Sequence, residues 1–280
     1  MIDYVNIRDC ITKGEFADSG TKGYNIVPCE SYPPLIIWVG KIFSAREIFF
    51  KQFLLFLFAF IAPLILYKAT GQPIAAWFYF STTSFFFAVI TGAFYAQALS
   101  VLLLMAMLFV RTELRIVLLA LSILAHSSSF PIAIAFFFLL ELENFGKLKG
   151  FLICSPFWNK VPDALTGDII PQNSYSHLTI NVILSYLIKR TPLVFLIPSV
   201  WQLIKERKIA LLFLMAVFMG AGIIIHERAW YFAALPMVCG LAWYYEKAKP
   251  NIQRLLIIST VIFFAFNIQQ LIGLLVNCYA

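Results

Sequence analysis

The sequence predicts an all-α fold: a polytopic transmembrane helical bundle of seven or eight membrane segments with a polar N-terminal external loop. Three observations carry this. Hydrophobic residues make up 61% of the chain and charged residues only 12%, against about 25% charged in a water-soluble domain. Long stretches, among them 69–110 and 116–140, hold no Asp, Glu, Lys or Arg, and an uncharged apolar run of about 20 residues is what a bilayer-crossing helix needs. The cations gather in short clusters between such stretches, at Arg111 and Arg115, at Lys205, Arg207 and Lys208, and at Lys247, Lys249 and Arg254.

The mean hydropathy of +0.86 excludes a chain that meets water over its whole surface. The formal charge of +7 admits a nucleic-acid reading. Cationic loop ends of a membrane protein explain the same charge better, so the expected partner is the lipid bilayer and no nucleic acid. Cys10, Cys29, Cys154, Cys239 and Cys278 form no CxxC pair, which argues against a zinc or redox motif. Cys10 and Cys29 share the N-terminal polar segment and are placed to pair if it lies outside the cell; two free thiols are the alternative. The opening MIDYVNIRDC lacks the basic start and apolar core of a signal peptide.

The chain divides into 1–50, an external loop and interfacial helix, and 51–280, the helical bundle. Residues 1–33 read as a loop with room for short helices. Residues 34–50 mix Lys41, Arg46 and Glu47 with Trp38, Ile42 and Phe43, the pattern of a helix lying in the membrane interface. Spans are expected over 52–67, twice within 69–110 with a turn at Thr91-Gly92, and over 191–204, 209–225, 229–245 and 255–276. The stretch 116–140, broken by His126 and Pro131, fits either one kinked span or a hairpin of two short helices.

Positive charge sets the orientation. With the three cationic clusters in the cytoplasm, 1–50, 93–97 and 226–228 lie outside, and the protein belongs in the cell membrane. The stretch 140–190 fits least well. Lys147 and Lys149 belong inside by charge, yet no full apolar span returns the chain outward after them.

Reactive side chains cluster only in the two polar regions and at His226-Glu227-Arg228. Residues 226–230 start like HExxH, but Trp230 stands where the second His is required, which rules out that zinc-protease motif. Neither GxSxG nor a glycine-rich phosphate loop occurs. Cys154 with His177 reads as structural rather than as a transpeptidase pair. Glu141 and Glu143, at a span end, read as solvated helix-end charges.

One resemblance adds to this. Asp3-Tyr4 opens a polar loop that runs through Gly14 and Tyr24 and closes on Glu30-Ser31-Tyr32-Pro33-Pro34-Leu35. An Asp followed at this distance by Tyr-Pro-Pro-Leu resembles the first external loop of the GT-C superfamily of polytopic membrane glycosyltransferases. The helix bearing Gln97, the helix pair across 112–142 and Arg228 with Leu235-Pro236 are similar to later elements of that family. Family members carry a transmembrane helix ahead of the Asp, so the resemblance implies a truncated or split member.

What the resemblance implies is a transferase that takes sugar from a polyprenyl-phosphate donor at the outer membrane face and passes it to a glycan or lipid acceptor. Asp3 would be the catalytic base that deprotonates the acceptor hydroxyl. Arg228 would hold the lipid phosphate, since its forked guanidinium matches phosphate oxygens; an interfacial anchor is the rival role. His226 is a second phosphate donor or an interfacial histidine. Tyr24 would stack on sugar or sit in an aromatic belt, and Tyr32 would bind substrate or, with its two prolines, fix a helix start. No cofactor is firmly implied, and a divalent metal is compatible with the site. Two rivals stand beside this reading: a non-catalytic membrane protein of the same fold, and a transporter of a small solute or lipid. The transporter lacks the internal repeat it would be expected to show.

Overall fold

A computed structural model describes residues 15–20, 23–28, 34–42, 56–82, 95–126, 130–145, 193–224 and 231–279. Two strands, β1 (Glu15–Gly20) and β2 (Gly23–Pro28), pair antiparallel from Glu15↔Pro28 to Gly20↔Gly23. This corrects the expectation of a loop with short helices. Phe16, Tyr24, Ile26 and Val27 favour a pleated ladder, a signal diluted by the polar residues around them. All other regular structure among the described residues is helical.

α1 (Pro34–Ile42) begins at the second proline of the Tyr-Pro-Pro motif, as expected of a ring that fixes φ and lacks an N–H. α2 (Ala62–Thr70) continues a π-helical turn, Leu57–Ile61, in which the Ala62 N–H reaches back five residues to the Leu57 carbonyl. Pro63 follows at once, and its missing N–H makes the wide turn tolerable. Gly71 ends α2 in the left-handed region, φ 71°, donating its N–H to the Tyr67 carbonyl at 2.7 Å.

α3 (Ile74–Phe80) then turns back. The charge-free stretch from residue 69 therefore opens with the end of one helix and a tight turn; Thr91-Gly92 lie outside the described residues. α4 (Tyr95–Ala106) tightens into a 3-10 turn, Met107–Phe109. α5 (Thr112–Ala125) and α6 (Phe130–Phe145) flank an extended His126, so 116–140 is a hairpin of two helices and not one kinked span.

α7 (Leu193–Lys205) carries Pro198 inside it. α8 (Ile209–Ile224), α9 (Ala234–Lys247) and α10 (Pro250–Tyr279) complete the chain. Among the described residues one helical stretch, Pro250–Gln269, is long and apolar enough to cross a membrane. Leu57–Thr70, Gln97–Phe109, Leu193–Lys205 and Ile209–Gly222 are apolar but shorter.

α9 is the centre of the bundle, packing on α2, α3, α7, α8 and α10. Residues 234–242 are buried without interruption. Close approach is purchased with small residues: Ser199 of α7 donates its hydroxyl to the Met237 carbonyl at 2.7 Å, and a Cβ on Gly240 would lie 2.7 Å from the Ser199 carbonyl oxygen.

Cross-contacts fix which helix ends lie together. Arg115 reaches from the start of α5 to Glu141 near the end of α6. Glu143 accepts the N–H of Ala210 at the start of α8. Glu206, just past α7, pairs with Lys247 at the end of α9. The Trp243 indole donates to the Thr70 carbonyl at the end of α2, and Gln253 of α10 donates to the Tyr245 carbonyl of α9. The three cationic clusters therefore share one end of the bundle. The start of α4, the α5–α6 joint, the start of α7 and the α8–α9 joint lie at the other. Phe145 and Leu193 accordingly sit at opposite ends, which bears on the stretch where charge and hydropathy conflicted.

The outer surface carries apolar stripes at helical spacing. Phe56, Phe60 and Leu64 form one, Ile197, Trp201 and Ile204 another, and Leu255, Ile258, Val261 and Ile262 a third. A water-soluble monomer seldom exposes contiguous apolar patches on this scale. The interior, by contrast, holds hydrogen-bonded polar groups: Ser100 with Ser122 at 2.8 Å, Thr260 on the Leu256 carbonyl at 2.7 Å, and Asn267 donating to the Ser81 carbonyl at 2.7 Å.

Candidate functional site

The end of the bundle away from the cations is where the sequence puts its chemistry. α4 enters there with Gln97 half-buried, one turn before the Ser100–Ser122 pair. Ser122 also donates to the Ser100 carbonyl at 3.2 Å, so that pair ties α4 to α5. His126 follows α5, half-buried at the mouth of the α5–α6 joint, and its N–H bonds the Ser122 carbonyl. Across the bundle α8 ends at Ile224, and the chain is described again from Tyr231, with the Phe232 ring against Phe218 at 5.8 Å. Arg228 and His226 fall between these two points, outside the described residues. Asp3 and Tyr32 also lie outside them. Tyr24 is in β2, opposite Ser19, with only its backbone described. Cys10 and Cys29 lie outside as well; Cys239 is a buried free thiol. No three His, Cys, Asp or Glu gather as a metal site among the described residues.

The other end holds the ion-paired and helix-capping charged groups, and here the reading of Glu141 and Glu143 as solvated charges is corrected. Glu141 is buried and bonds Arg115 Nη1 at 3.0 Å, with side-chain exposures of 4% and 7%. Arg115 Nε also donates to the Met107 carbonyl at 2.9 Å and the Val110 carbonyl at 3.1 Å. One guanidinium thus closes the α4–α5 turn and fastens it to α6. Desolvation explains the arrangement, since a buried charge persists only when paired and hydrogen-bonded.

Glu143 is half-buried and caps α8. A carboxylate at a helix N-terminus satisfies orphan N–H groups and meets the positive end of the dipole. Burial raises its carboxyl above the ordinary value, and the Ala210 N–H, the Lys208 charge and the Ile209 N–H pull against that rise. Glu206 goes the other way: a hydrogen bond and the charge of Lys247 hold it below the ordinary value. Gln202 donates to the same carboxylate at 3.0 Å. The sequence signal for these partners is weak, because 26 and 67 residues separate Arg115 from Glu141 and Glu143 from Ala210.

No family model matches the chain, and no curated protein or solved structure matches it either.

Proposed function

We propose that the chain is a multi-pass membrane protein of the cell membrane, with seven or eight membrane segments, working as a glycosyltransferase on a polyprenyl-phosphate-linked sugar at the outer face. The observation that carries the membrane part is the segregation of charge: three cationic clusters at one end, polar joints at the other, and exposed apolar stripes between. That arrangement supports a cytoplasmic cationic end by the positive-inside rule. The helix ends that bracket Arg228 then face outward.

The sugar-transfer part rests on the Asp3 to Tyr32-Pro33-Pro34 resemblance. In this reading the Asp3 carboxylate takes the acceptor hydroxyl proton as the acceptor oxygen bonds the anomeric carbon. The bond from that carbon to the phosphate oxygen breaks, and the leaving polyprenyl phosphate stays on Arg228.

Two measurements test the proposal. A membrane-impermeant thiol reagent on intact cells should label a single cysteine at position 31 and spare one at position 206; the reverse overturns the orientation. Purified chain with a polyprenyl-phosphate sugar donor should transfer sugar and lose transfer on Asp3→Asn. Correct topology without transfer would favour the non-catalytic reading.

A further inference from the structure

The charge at the cationic end is concentrated where two connections meet. The α7–α8 turn presents Lys205, Arg207 and Lys208, and the α9–α10 junction presents Lys247, Lys249 and Arg254. The Glu206–Lys247 pair holds the two connections side by side. The Gln253 side chain, on the Tyr245 carbonyl at 2.8 Å, keeps the first turn of α10 against α9. Lys208 lies over the Trp243 ring, 5.7 Å from its centroid, so its charge is held in place rather than free to swing. Five of the six cations are exposed, Lys208 alone being partly covered. The neighbouring acids are Glu206, already engaged by Lys247, Glu143, which bonds the Ala210 N–H and feels the Lys208 charge, and Glu246. Arg207 holds φ 54°, a left-handed backbone uncommon for a side chain with a Cβ.

What this face meets is decided by what adjoins it. Trp201, 63% exposed, stands one turn before Lys205 with Ile204 beside it, and Leu255 and Ile258 follow Arg254 on α10. A nucleic acid or a soluble acidic protein would have to sit against bare hydrocarbon here. A lipid leaflet places anions and hydrocarbon at this spacing, with tryptophan at the boundary.

We propose that the α7–α8 turn and the α9–α10 junction together form a docking face for anionic phospholipid headgroups. The inference rests on the membrane reading and adds a lipid preference to it. The shape of the face is set by the Glu206–Lys247 pair, and its preference by the excess of exposed cations over neighbouring acids. Each basic residue near an anionic surface contributes about fivefold to binding.

Native mass spectrometry of the purified full chain in detergent tests this, with phosphatidylglycerol and phosphatidylcholine offered at equal concentration. Wild type should retain phosphatidylglycerol preferentially. Replacing Lys205, Arg207, Lys208 and Lys249 together by Gln should remove the preference, a loss of roughly several hundredfold. Lys41→Gln, an exposed cation on α1, should leave it intact. A wild type without preference, or a fourfold variant that keeps it, overturns the proposal. So does displacement of the lipid by inorganic phosphate, which would mark a site for soluble phosphate. Failure of the membrane reading looks different: the wild-type chain would remain monodisperse in buffer without detergent.

Discussion

Arg115 in the first turn of α5 meets Glu141 of α6 at 3.0 Å, and both side chains are almost fully withdrawn from the surface. The same guanidinium holds the Met107 and Val110 carbonyls. Glu141→Ala would leave a buried, half-partnered cation, so it should cost about 3–5 kcal/mol in unfolding of the detergent-solubilised protein. Arg115→Met combined with Glu141→Leu should recover most of that loss, because neither charge then needs a partner. Equal damage from single and double variants would show that the pair is not the source of the cost.

Gly240 sets the distance between α7 and α9. A methyl group there meets the Ser199 carbonyl at 2.7 Å, closer than real Cβ contacts come. Gly240→Ala should destabilise the bundle by about 1–3 kcal/mol, the usual range for overpacking. Ser199→Ala removes the nearest obstruction, the Ser199 hydroxyl, but should rescue it only in part, since the Ser199 carbonyl and the Leu203 side chain still block the methyl. Thermal denaturation of the single and double variants decides the matter, and a full rescue would sink this account.

Glu143 ties the end of α6 to the start of α8 through the Ala210 N–H. Glu143→Ala should lose about 1 kcal/mol, as other N-terminal caps do, and should speed hydrogen exchange in the first turn of α8. Glu143→Gln keeps an acceptor and should lose less. Unchanged exchange in Glu143→Ala would remove the capping role.

Glu206 supplies a pH dependence of known sign. Its folded value lies below the ordinary 4.5, first through the hydrogen bond from Lys247 and then through that residue's charge. Its contribution is therefore present above the unfolded value and disappears as pH falls through the folded value. Wild type should melt slightly above Glu206→Gln at neutral pH, and the gap should close in acid. The effect is small because the group is exposed. Glu143 has the opposite sign, its raised value favouring the fold at lower pH. A gap that widens in acid would contradict the Glu206 assignment.

Under the proposed activity, Arg228→Lys should lower transfer and Arg228→Ala should nearly abolish it, at unchanged protein level in the membrane. Lysine keeps the charge but loses the two-pronged grip on phosphate. Full activity in Arg228→Ala would leave that residue an interfacial anchor.

Helix type and many boundaries were legible in the sequence. Lys205 and Ile209 bound the α7–α8 turn as hydropathy placed it, and Pro34 starts α1. The α5–α6 break at His126 was legible as one of two options. Less visible were features whose cause is distant or local but unpatterned. The Gly71 turn lies inside a stretch free of formal charge, so charge gave no warning of it. β1 and β2 hid among polar residues. Arg115 and Glu141 each look solvated until the fold brings them together. Of the candidate site, the sequence supplied residues and spacing; the described structure adds the shared end on which the α8–α9 joint opens.

The Thr70 carbonyl is bonded by Trp243, 173 residues later, and the Ser81 carbonyl by Asn267, 186 residues later. At a synthesis rate of about 5–20 residues per second, α2 and α3 emerge roughly 10–35 s before these partners exist. During that interval the groove that α9 will fill is open. α2 and α3 thus wait longest for these two bonds, and whatever shields their open faces has its work to do before α9 and α10 are made.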